Sequence, residues 1–337
     1  MMRLTLVFVF VATAFFSAAQ NKSPKTLQTI AFGSCSHEDD SVQLWTDIVA
    51  LKPDLWIWMG DNIYGDTQDM AVMKHKYNIQ KSNPEYQALV KSCPVVGTWD
   101  DHDYGINDGG KFFAKKDQSK TLALDFLDVP RNAAVRKRPG IYDSYDFGPK
   151  GKRVKVILLD TRSFRDTVII STVAGRRYDP NPDGDVLGDA QWKWLESELK
   201  KSSADLNIIV SSIQFLANDH YWEKWGNFPA ARQRMIDLLV KAKPGNTFFI
   251  SGDRHIGEVS RLTLDGLPYA LYDFTSSGLT HTWDGAREEK NSLRVGQLII
   301  QKNFGLIRIN WNNNLPNVEM EIRGKNGTVW QSIPVRF

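Results

Sequence analysis

The feature that most constrains the fold is a series of short apolar runs, each of which leads into a more polar loop. These runs stand in LQTIAFGSC, DLWIWMGDNIYGD, SCPVVGTWDDHD, KVILLDTRSFRD, NIIVSSIQF and TFFISGDRH. Continuous apolar runs of this length, bounded by turn residues, predict buried β-strands. The intervening segments SVQLWTDIVALKP, DAQWKWLESELKKS and PAARQRMIDLLVKA space their apolar residues three and four apart, which predicts helices. This alternation predicts a layered α/β fold.

The C-terminal segment has a different pattern. Three short strand-like stretches, GLIRINWN, NVEMEIRG and TVWQSIPVRF, are separated by the turn signals NNNLP and KNG. We expect them to form antiparallel strands that close the same domain. Because the composition never changes sharply along the chain, residues 27–337 are predicted to form a single domain.

Residues 1–19 have the layout of a secretory signal, with a basic start, an apolar run from Leu4 to Phe16 and small residues before the expected cleavage point. The apolar run is shorter than the roughly 20 residues that a spanning helix needs. We therefore expect removal of the signal, a linker over residues 20–26, no membrane span afterwards, and export to the periplasm or the cell exterior. The formal net charge of +3 gives no general argument for a nucleic-acid partner.

Potential metal ligands are concentrated where the predicted strands end. They are Cys35, His37, Asp61, Asn62, Tyr64, Asp100 to Asp103, Asp160, Arg162, Asp253 and His255. The carboxyl ends of strands in open α/β sheets line one crevice, so these side chains are expected to meet there. Carboxylates held close together are costly unless a cation lies between them, which favours a polynuclear metal centre. Taken singly, each Gly-Asp pair is more typical of a turn, and Asp160 with Arg162 is equally typical of a structural ion pair.

The two cysteines have two interpretations. In an exported protein Cys35 and Cys93 are able to form one disulfide. Alternatively, Cys35 in AFGSCSH supplies a thiolate ligand at a strand end. Spacing alone leaves both alternatives open.

The ordered motifs GSC, GDNIYGD, WDDHDYGIND, LLDTRSFRD, LGDAQWKWL, WGNFPAARQRM, SGDRH and DFTSSGLTH resemble those of the PhoD-like phosphatases, the alkaline phosphatase D family. That family belongs to the calcineurin-like metallophosphoesterases. The resemblance runs from Ile30 to about Phe304. It implies a four-layer α/β/β/α sandwich and the hydrolysis of phosphate esters. Two departures are a single arginine in the signal, which favours ordinary secretion, and a segment too short for the separate N-terminal β-domain of some members.

The resemblance also implies a metal centre of one iron(III) ion with one or two calcium ions. By motif position, Cys35, Asp61 and Tyr64 correspond to the iron ligands, and Asp61 bridges to the second metal. Asp253 and His255 close the site from the last strand of the core. A cysteine that binds metal cannot also form a disulfide, which leaves Cys93 as a buried free thiol.

Within WDDHDYGIND, the resemblance implies that Asp101 is a metal ligand and His102 the general acid near the leaving group. It also implies contact of Asn107 with metal and phosphate, and the register leaves open whether Asp101 or Asn107 holds the metal. Asp100 and Asp103 are expected to orient His102 and to cap the loop.

For several further residues the sequence predicts a position near the site without fixing a single role. Arg162 is expected either to face the phosphate or to act from behind the ligands, and Lys111 either to reach the phosphate or to remain solvated. His281 is expected near the site. His220, Trp222 and Trp225 fit the pocket rim and the core equally well.

The motif set predicts an exported, metal-dependent phosphomonoesterase and phosphodiesterase that scavenges phosphate. One alternative is a phosphodiesterase that prefers phospholipid or polymer diesters. A second alternative, from another class, is a non-catalytic anion-binding protein on the same fold.

Overall fold

The computed structural model describes residues 25–312 and 315–337, so the predicted signal and most of the predicted linker lie outside the described residues. Fifteen strands and seven α-helices are present in this part of the chain. The helices are α1 (Trp45–Ala50), α2 (Met70–Ser82), α3 (Pro84–Ser92), α4 (Asp101–Tyr104), α5 (Lys116–Phe126), α6 (Gly188–Lys201) and α7 (Pro229–Ala242). Within the same residues, no helix is both long and apolar enough to cross a membrane.

Two large mixed sheets form the centre of the fold. The six-stranded sheet contains β1 (Thr29–Gly33), β2 (Leu55–Met59), β3 (Val95–Thr98), β13 (Phe304–Asn312), β14 (Leu315–Arg323) and β15 (Val329–Val335). The seven-stranded sheet contains β4 (Asp143–Phe147), β5 (Val154–Leu158), β8 (Leu206–Ser211), β9 (Thr247–Ser251), β10 (Gly257–Leu262), β11 (Leu271–Ser276) and β12 (Arg294–Ile299). A small hairpin of β6 (Ile169–Ile170) and β7 (Tyr178–Asp179) lies outside both sheets.

Side-chain alternation along the strands builds four layers. On β2, Leu55, Ile57 and Met59 belong to the core between the two sheets, whereas Trp56 and Trp58 belong to the cluster with α1, α2, α3 and α5. The second sheet is organised in the same way, because one face joins the central core and the other packs against α6 and α7. Successive side chains of a strand point to opposite faces, so strands apolar on both faces become buried on both. The expected α/β/β/α sandwich is confirmed.

All six apolar runs form strands, namely β1, β2, β3, β5, β8 and β9, and the three predicted helices are α1, α6 and α7. The C-terminal segment forms three antiparallel strands as expected, and these strands are part of the six-stranded sheet itself. β13 pairs directly with β1 along Thr29–Phe32, so the tail supplies half of the first sheet.

Parallel pairing brings the important loops together. β1, β2 and β3 run parallel to one another, as do β5, β8 and β9 in the other sheet. Their carboxyl ends therefore meet along one edge of the sandwich, where the polar loops follow the strands.

Candidate metal centre

The loops after β1, β2, β3 and β9 place most of the expected ligands in one cluster. The Sγ atom of Cys35 lies 3.3 Å from Oδ2 of Asp61. Ligand atoms of Cys35, Asp61 and His255 all lie within 4.8 Å of one another. The Tyr64 hydroxyl completes this side of the cluster, 3.0 Å from Nε2 of His255. A thiol, a phenol, a carboxylate and an imidazole therefore converge from three loops.

A second group of carboxylates lies beside the first. Asp100, Asp101 and Asp253 place one oxygen each within 4.8 Å of one another, and Asp61 forms a similar group with Asp101 and His102. Asp61 thus belongs to both sides of the cluster. Such a position is the one expected of a ligand shared by two ions.

The backbone at the expected ligands adopts a conformation that L-residues seldom adopt. Cys35, Asp61, Asp253 and His255 have φ values of 60°, 47°, 70° and 56°. Residues held in this left-handed region cost on the order of 1–3 kcal/mol each and cluster at functional sites. The carboxylate of Asp103 supports the turn at Asp61 by accepting from its backbone N–H and from that of Asn62.

The chemistry of the donor set fits metal ions. Buried oxygens of Asp100 (Oδ2) and Asp101 (Oδ1) accept no hydrogen bond from any of the described residues. Burial raises the pKa of Asp61 well above its usual range, and the neighbouring carboxylates add to this rise against the opposing charge of His102. Unsatisfied buried oxygens and mutual repulsion are what a cation bound between the carboxylates would relieve.

The imidazoles on the thiol side are in the form that ligation needs. Burial, together with His281 and His102, lowers the pKa of His255 to about 3. The ring is therefore neutral at physiological pH, with a lone pair available for a metal. His281 lies close by as expected, with Nε2 3.0 Å from the Tyr64 hydroxyl.

His102 has a different environment, because its Nδ1 lies 2.8 Å from Oδ2 of Asp66. Burial alone would lower the pKa of His102, but Asp61, Asp101 and Asp66 raise it to about 11. The expectation that Asp100 and Asp103 orient this ring is wrong, since Asp66 is its carboxylate partner. Asp103 does cap the loop, because it accepts from the backbone N–H of Asp100 at 2.6 Å.

Arg162 lies behind the cluster. Its fully buried guanidinium donates hydrogen bonds to the carboxylate of Asp100 and, at 2.7 Å, to Oε2 of Glu223. A third nitrogen, Nη2, lies 3.8 Å from Oδ1 of Asp101. The alternative of an ion pair with Asp160 is wrong: the Asp160 carboxylate accepts instead from Trp99 and from backbone N–H groups of its own loop.

A cavity of about 240 Å³ opens over the cluster. Its lining residues are Asp101, His102, Asn107, Asp108, Arg177, Trp222, Glu223, Asp253, Arg254, His255 and Trp283. Asn107 is exposed and donates to Asp108 at 2.6 Å. Lys111 does not line this cavity and pairs instead with Asp166.

The structure also decides the remaining alternatives. Cys35 and Cys93 are both buried and free, so the proposed disulfide between them is wrong and Cys93 is a buried thiol as expected. Trp222 lines the cavity, whereas Trp225 is fully buried in the core beside α6 and α7.

Several residues in or beside the cavity were not predicted from the sequence, for two different reasons. Asp66 and Arg254 lie inside GDNIYGD and SGDRH, so the motifs held a signal for them. Arg177, Glu223 and Trp283 lie in loops between the recognisable elements, and no local pattern marks them.

The fold is similar to that of solved phosphatase structures, among them a dimetal phosphatase. A dimetal phosphatase from Danio rerio superposes with a TM-score of 0.59 at 13% identity, covering 93% of this chain and all of that one. The structure of PhoD superposes with a TM-score of 0.71 at 18% identity, covering 91% of this chain and 69% of that one. GAP50, the anchor in the inner membrane complex of Plasmodium, also superposes, with a TM-score of 0.60 at 14% identity and coverage of 93% and 90%. Two of these three similar structures are described as phosphatases or as PhoD and the third as an anchor, so similarity of fold alone does not define the activity of this chain.

The family is established by sequence. The profile of the PhoD-like phosphatases matches residues 30–326, and the chain belongs to that family. Alkaline phosphatase D of Bacillus subtilis (strain 168) is 25% identical over 280 residues, which cover 70% of this chain and 47% of that protein. The match thus spans about half the length of this curated relative.

Proposed function

We propose that this protein is a metal-dependent phosphoric ester hydrolase. The observation that carries the proposal is the cluster of carboxylates, thiol, phenol and imidazole under an open cavity, in which buried carboxylate oxygens have no hydrogen-bond partner within residues 25–312 and 315–337. Family membership supports the same reaction class. The substrate is a phosphate monoester or diester whose phosphoryl group enters the cavity.

Cys35, Asp61, Tyr64 and His255 would hold one metal ion, and Asp61, Asp101 and Asp253 the other. Soft thiolate and phenolate donors suit iron(III), and carboxylate oxygens suit calcium. Asp101 is favoured over Asn107 as the ligand, because Asp101 is buried within two carboxylate groups and Asn107 is exposed. Asn107 instead contacts the phosphate from the cavity wall.

Metal ions bound there would supply Lewis-acid activation of the water nucleophile and neutralise charge on the phosphoryl group. The chain itself supplies the proton for the leaving group. His102 lines the cavity and is held through Nδ1 by Asp66, whose carboxylate, beside Asp61 and Asp101, raises the pKa of the ring against the effect of burial and leaves Nε2 to donate. Arg162 acts through Asp100 and Asp101 by fixing the carboxylates from behind.

The setting of the reaction is also a proposal. The signal-like pattern of residues 1–19 supports export, and a site that holds calcium fits a location outside the cytoplasm. A hydrolase of this kind outside the cytoplasm would release phosphate from esters for uptake. We therefore propose a role in phosphate scavenging.

The test is hydrolysis of p-nitrophenyl phosphate and bis-p-nitrophenyl phosphate by purified, metal-loaded protein at alkaline pH. We expect turnover of at least one ester and its loss on treatment with a chelator. The ratio of the two rates gives the preference for monoesters or diesters. Metal-loaded protein that cleaves neither ester would contradict the proposal and favour the anion-binding alternative.

A further inference from the structure

A second, larger cavity continues from the candidate active site. Its volume is about 860 Å³, within the range of small-molecule sites, and it shares Arg177, Trp222 and Trp283 with the cavity over the metal cluster. A phosphoester whose phosphoryl group lies over the cluster would therefore direct the rest of the molecule along these three side chains. None of the proposed chemical roles uses this second cavity.

The wall between the two cavities is aromatic and cationic. The rings of Trp222 and Trp283 meet edge to face, with centroids 5.0 Å apart and planes at 78°. The Arg254 guanidinium lies 5.5 Å from both rings, and the Arg177 guanidinium lies 5.5 Å from Trp222. Both indoles remain partly exposed. Flat indole and guanidinium surfaces of this kind are what stack on planar π-systems.

An ion pair with Glu289 holds the Arg254 guanidinium in place without any bound ligand. Glu289 pairs with Arg254 through Oε2 at 2.6 Å, and the two side chains are only 9% and 5% exposed. The stacking surface is therefore preorganised, which reduces the entropy that binding would otherwise cost.

Two buried polar atoms of residues that line the second cavity have no partner among the described residues: Nε2 of His220 and Oε1 of Glu289. Nδ1 of His220 accepts the backbone N–H of Trp222 at 3.3 Å, so the neutral ring carries its proton on Nε2. Burial, together with Arg254 and Lys224, lowers the pKa of His220 well below its usual range and so keeps the ring neutral. The cavity residues thus hold one free donor and one free acceptor, and buried polar atoms are usually paired.

We propose that the second cavity binds the base of a nucleoside phosphoester whose phosphoryl group occupies the candidate active site. A nucleobase combines a planar π-face for Trp222, Trp283 and Arg177 with an edge that carries donors and acceptors for the polar residues that line the cavity, His220 and Glu289 among them. An acyl chain would leave the polar side chains that line the cavity unmatched, and a polyol would leave the flat surfaces unused. This assignment rests on the proposed phosphoester hydrolysis.

The test compares adenosine 5′-monophosphate with ribose 5-phosphate on the metal-loaded full chain. Both esters release phosphate from the same primary alcohol, so their difference reports the base alone. We expect kcat/KM to be about 10-fold or more higher for the nucleotide, because stacking on aromatic side chains is favourable for every base. Trp222→Leu and Trp283→Leu should each reduce this ratio to below about 3-fold by removing one stacking surface. Trp330→Leu, at a partly exposed tryptophan of β15, should leave the ratio unchanged.

Each outcome decides one of the two proposals. A ratio near 1 in the unmodified protein would overturn the nucleobase site without any variant, and so would an equal ratio in folded Trp222→Leu and Trp283→Leu proteins. If neither ester is hydrolysed and the nitrophenyl esters are also stable, the proposed function fails. Calorimetric titration with the same two ligands then decides the site: tighter binding of the nucleotide, weakened by Trp222→Leu, supports it, and equal binding contradicts it.

Discussion

At the scale of single residues, the competition between Asp101 and Asn107 for the metal has a direct test. Asp101 is buried and shares carboxylate groups with Asp61 and Asp253, whereas Asn107 is exposed. Asp101→Ala should therefore lower metal occupancy and reduce kcat/KM by at least about 100-fold, more than the loss of an outer-shell partner typically causes. Metal content by mass spectrometry measures the first effect.

The matched control for this prediction is Asn107→Ala. It should keep full metal occupancy and lower kcat/KM by about 10-fold, because only one substrate contact is removed. The reverse pattern, with metal lost in Asn107→Ala and retained in Asp101→Ala, would assign the ligand to Asn107.

The pairing of His102 with Asp66 makes a prediction about pH. The Asp66 carboxylate helps to raise the pKa of His102, so Asp66→Asn should lower that pKa. A general acid is active only while protonated, and the alkaline limb of kcat should therefore move to lower pH. The exposed Asp39→Asn is the control and should leave the profile unchanged. An alkaline limb that does not move in Asp66→Asn would exclude His102 as the acid.

Most of the site residues that follow strands were predictable from the sequence, whereas most of those in other loops were not. Cys35, Asp61, Asp253 and His255 stand directly after apolar runs, where the chain itself marks them. Glu223 and Trp283 come to the same cavity through tertiary packing of loops. No local pattern marks such residues, because loop position depends on the whole fold.

At the scale of elements, one hydrogen bond joins helix α3 to strand β2. Trp58 donates from its indole N–H to the hydroxyl of Tyr86 at 3.0 Å, and both side chains are buried. Tyr86→Phe leaves the indole N–H unpaired and should lower the free energy of unfolding by about 1–3 kcal/mol. Chemical denaturation measures this change.

Tyr221→Phe provides the comparison for this prediction, because Tyr221 is 47% exposed. Its effect should stay within about 0.5 kcal/mol, as is usual for surface substitutions. Equal stabilities of the Tyr86→Phe protein and the unmodified protein would show that the Trp58 hydrogen bond does not contribute.

Element identity was easier to predict than element arrangement. Apolar runs and three-four spacing identified β1, β2 and the helices α1, α6 and α7 from local sequence alone, but they did not identify α2, α3 and α5. The adjacency of β13 to β1 joins residues nearly 280 positions apart, for example Thr29 with Arg308. Which strands pair across so many residues depends on how the faces of the whole sheet become buried. Local periodicity therefore does not predict that β13 lies beside β1.

At the scale of the whole molecule, stability should depend on metal in a pH-dependent way. Burial raises the pKa of Asp61 well above its usual range and that of Asp103 to about 8. A carboxyl group with a higher pKa in the folded state destabilises the fold as pH rises from its unfolded value, about 3.9, toward its folded value. Buried His255, whose pKa is lowered to about 3, opposes this effect only up to about pH 6.5, so metal-free protein should lose stability as pH rises from about 6.5 to about 8.

Metal ions at saturating concentration should remove much of this loss by neutralising the cluster. We expect the melting temperature at pH 8 to rise by about 5 °C or more on metal loading. Thermal melts of chelated and loaded protein across this pH range measure both effects. Parallel pH profiles with and without metal would contradict a charge cluster that metal neutralises.

The most direct test of the account is to titrate metal into chelated protein and to measure bound metal and ester hydrolysis in the same samples. We predict that iron and calcium bind together at about two to three ions per chain, as a two-metal phosphatase site requires, and that the rate of p-nitrophenyl ester hydrolysis rises in proportion to their occupancy. Full activity in metal-free protein, or complete metal loading with no hydrolysis of either ester, would contradict it.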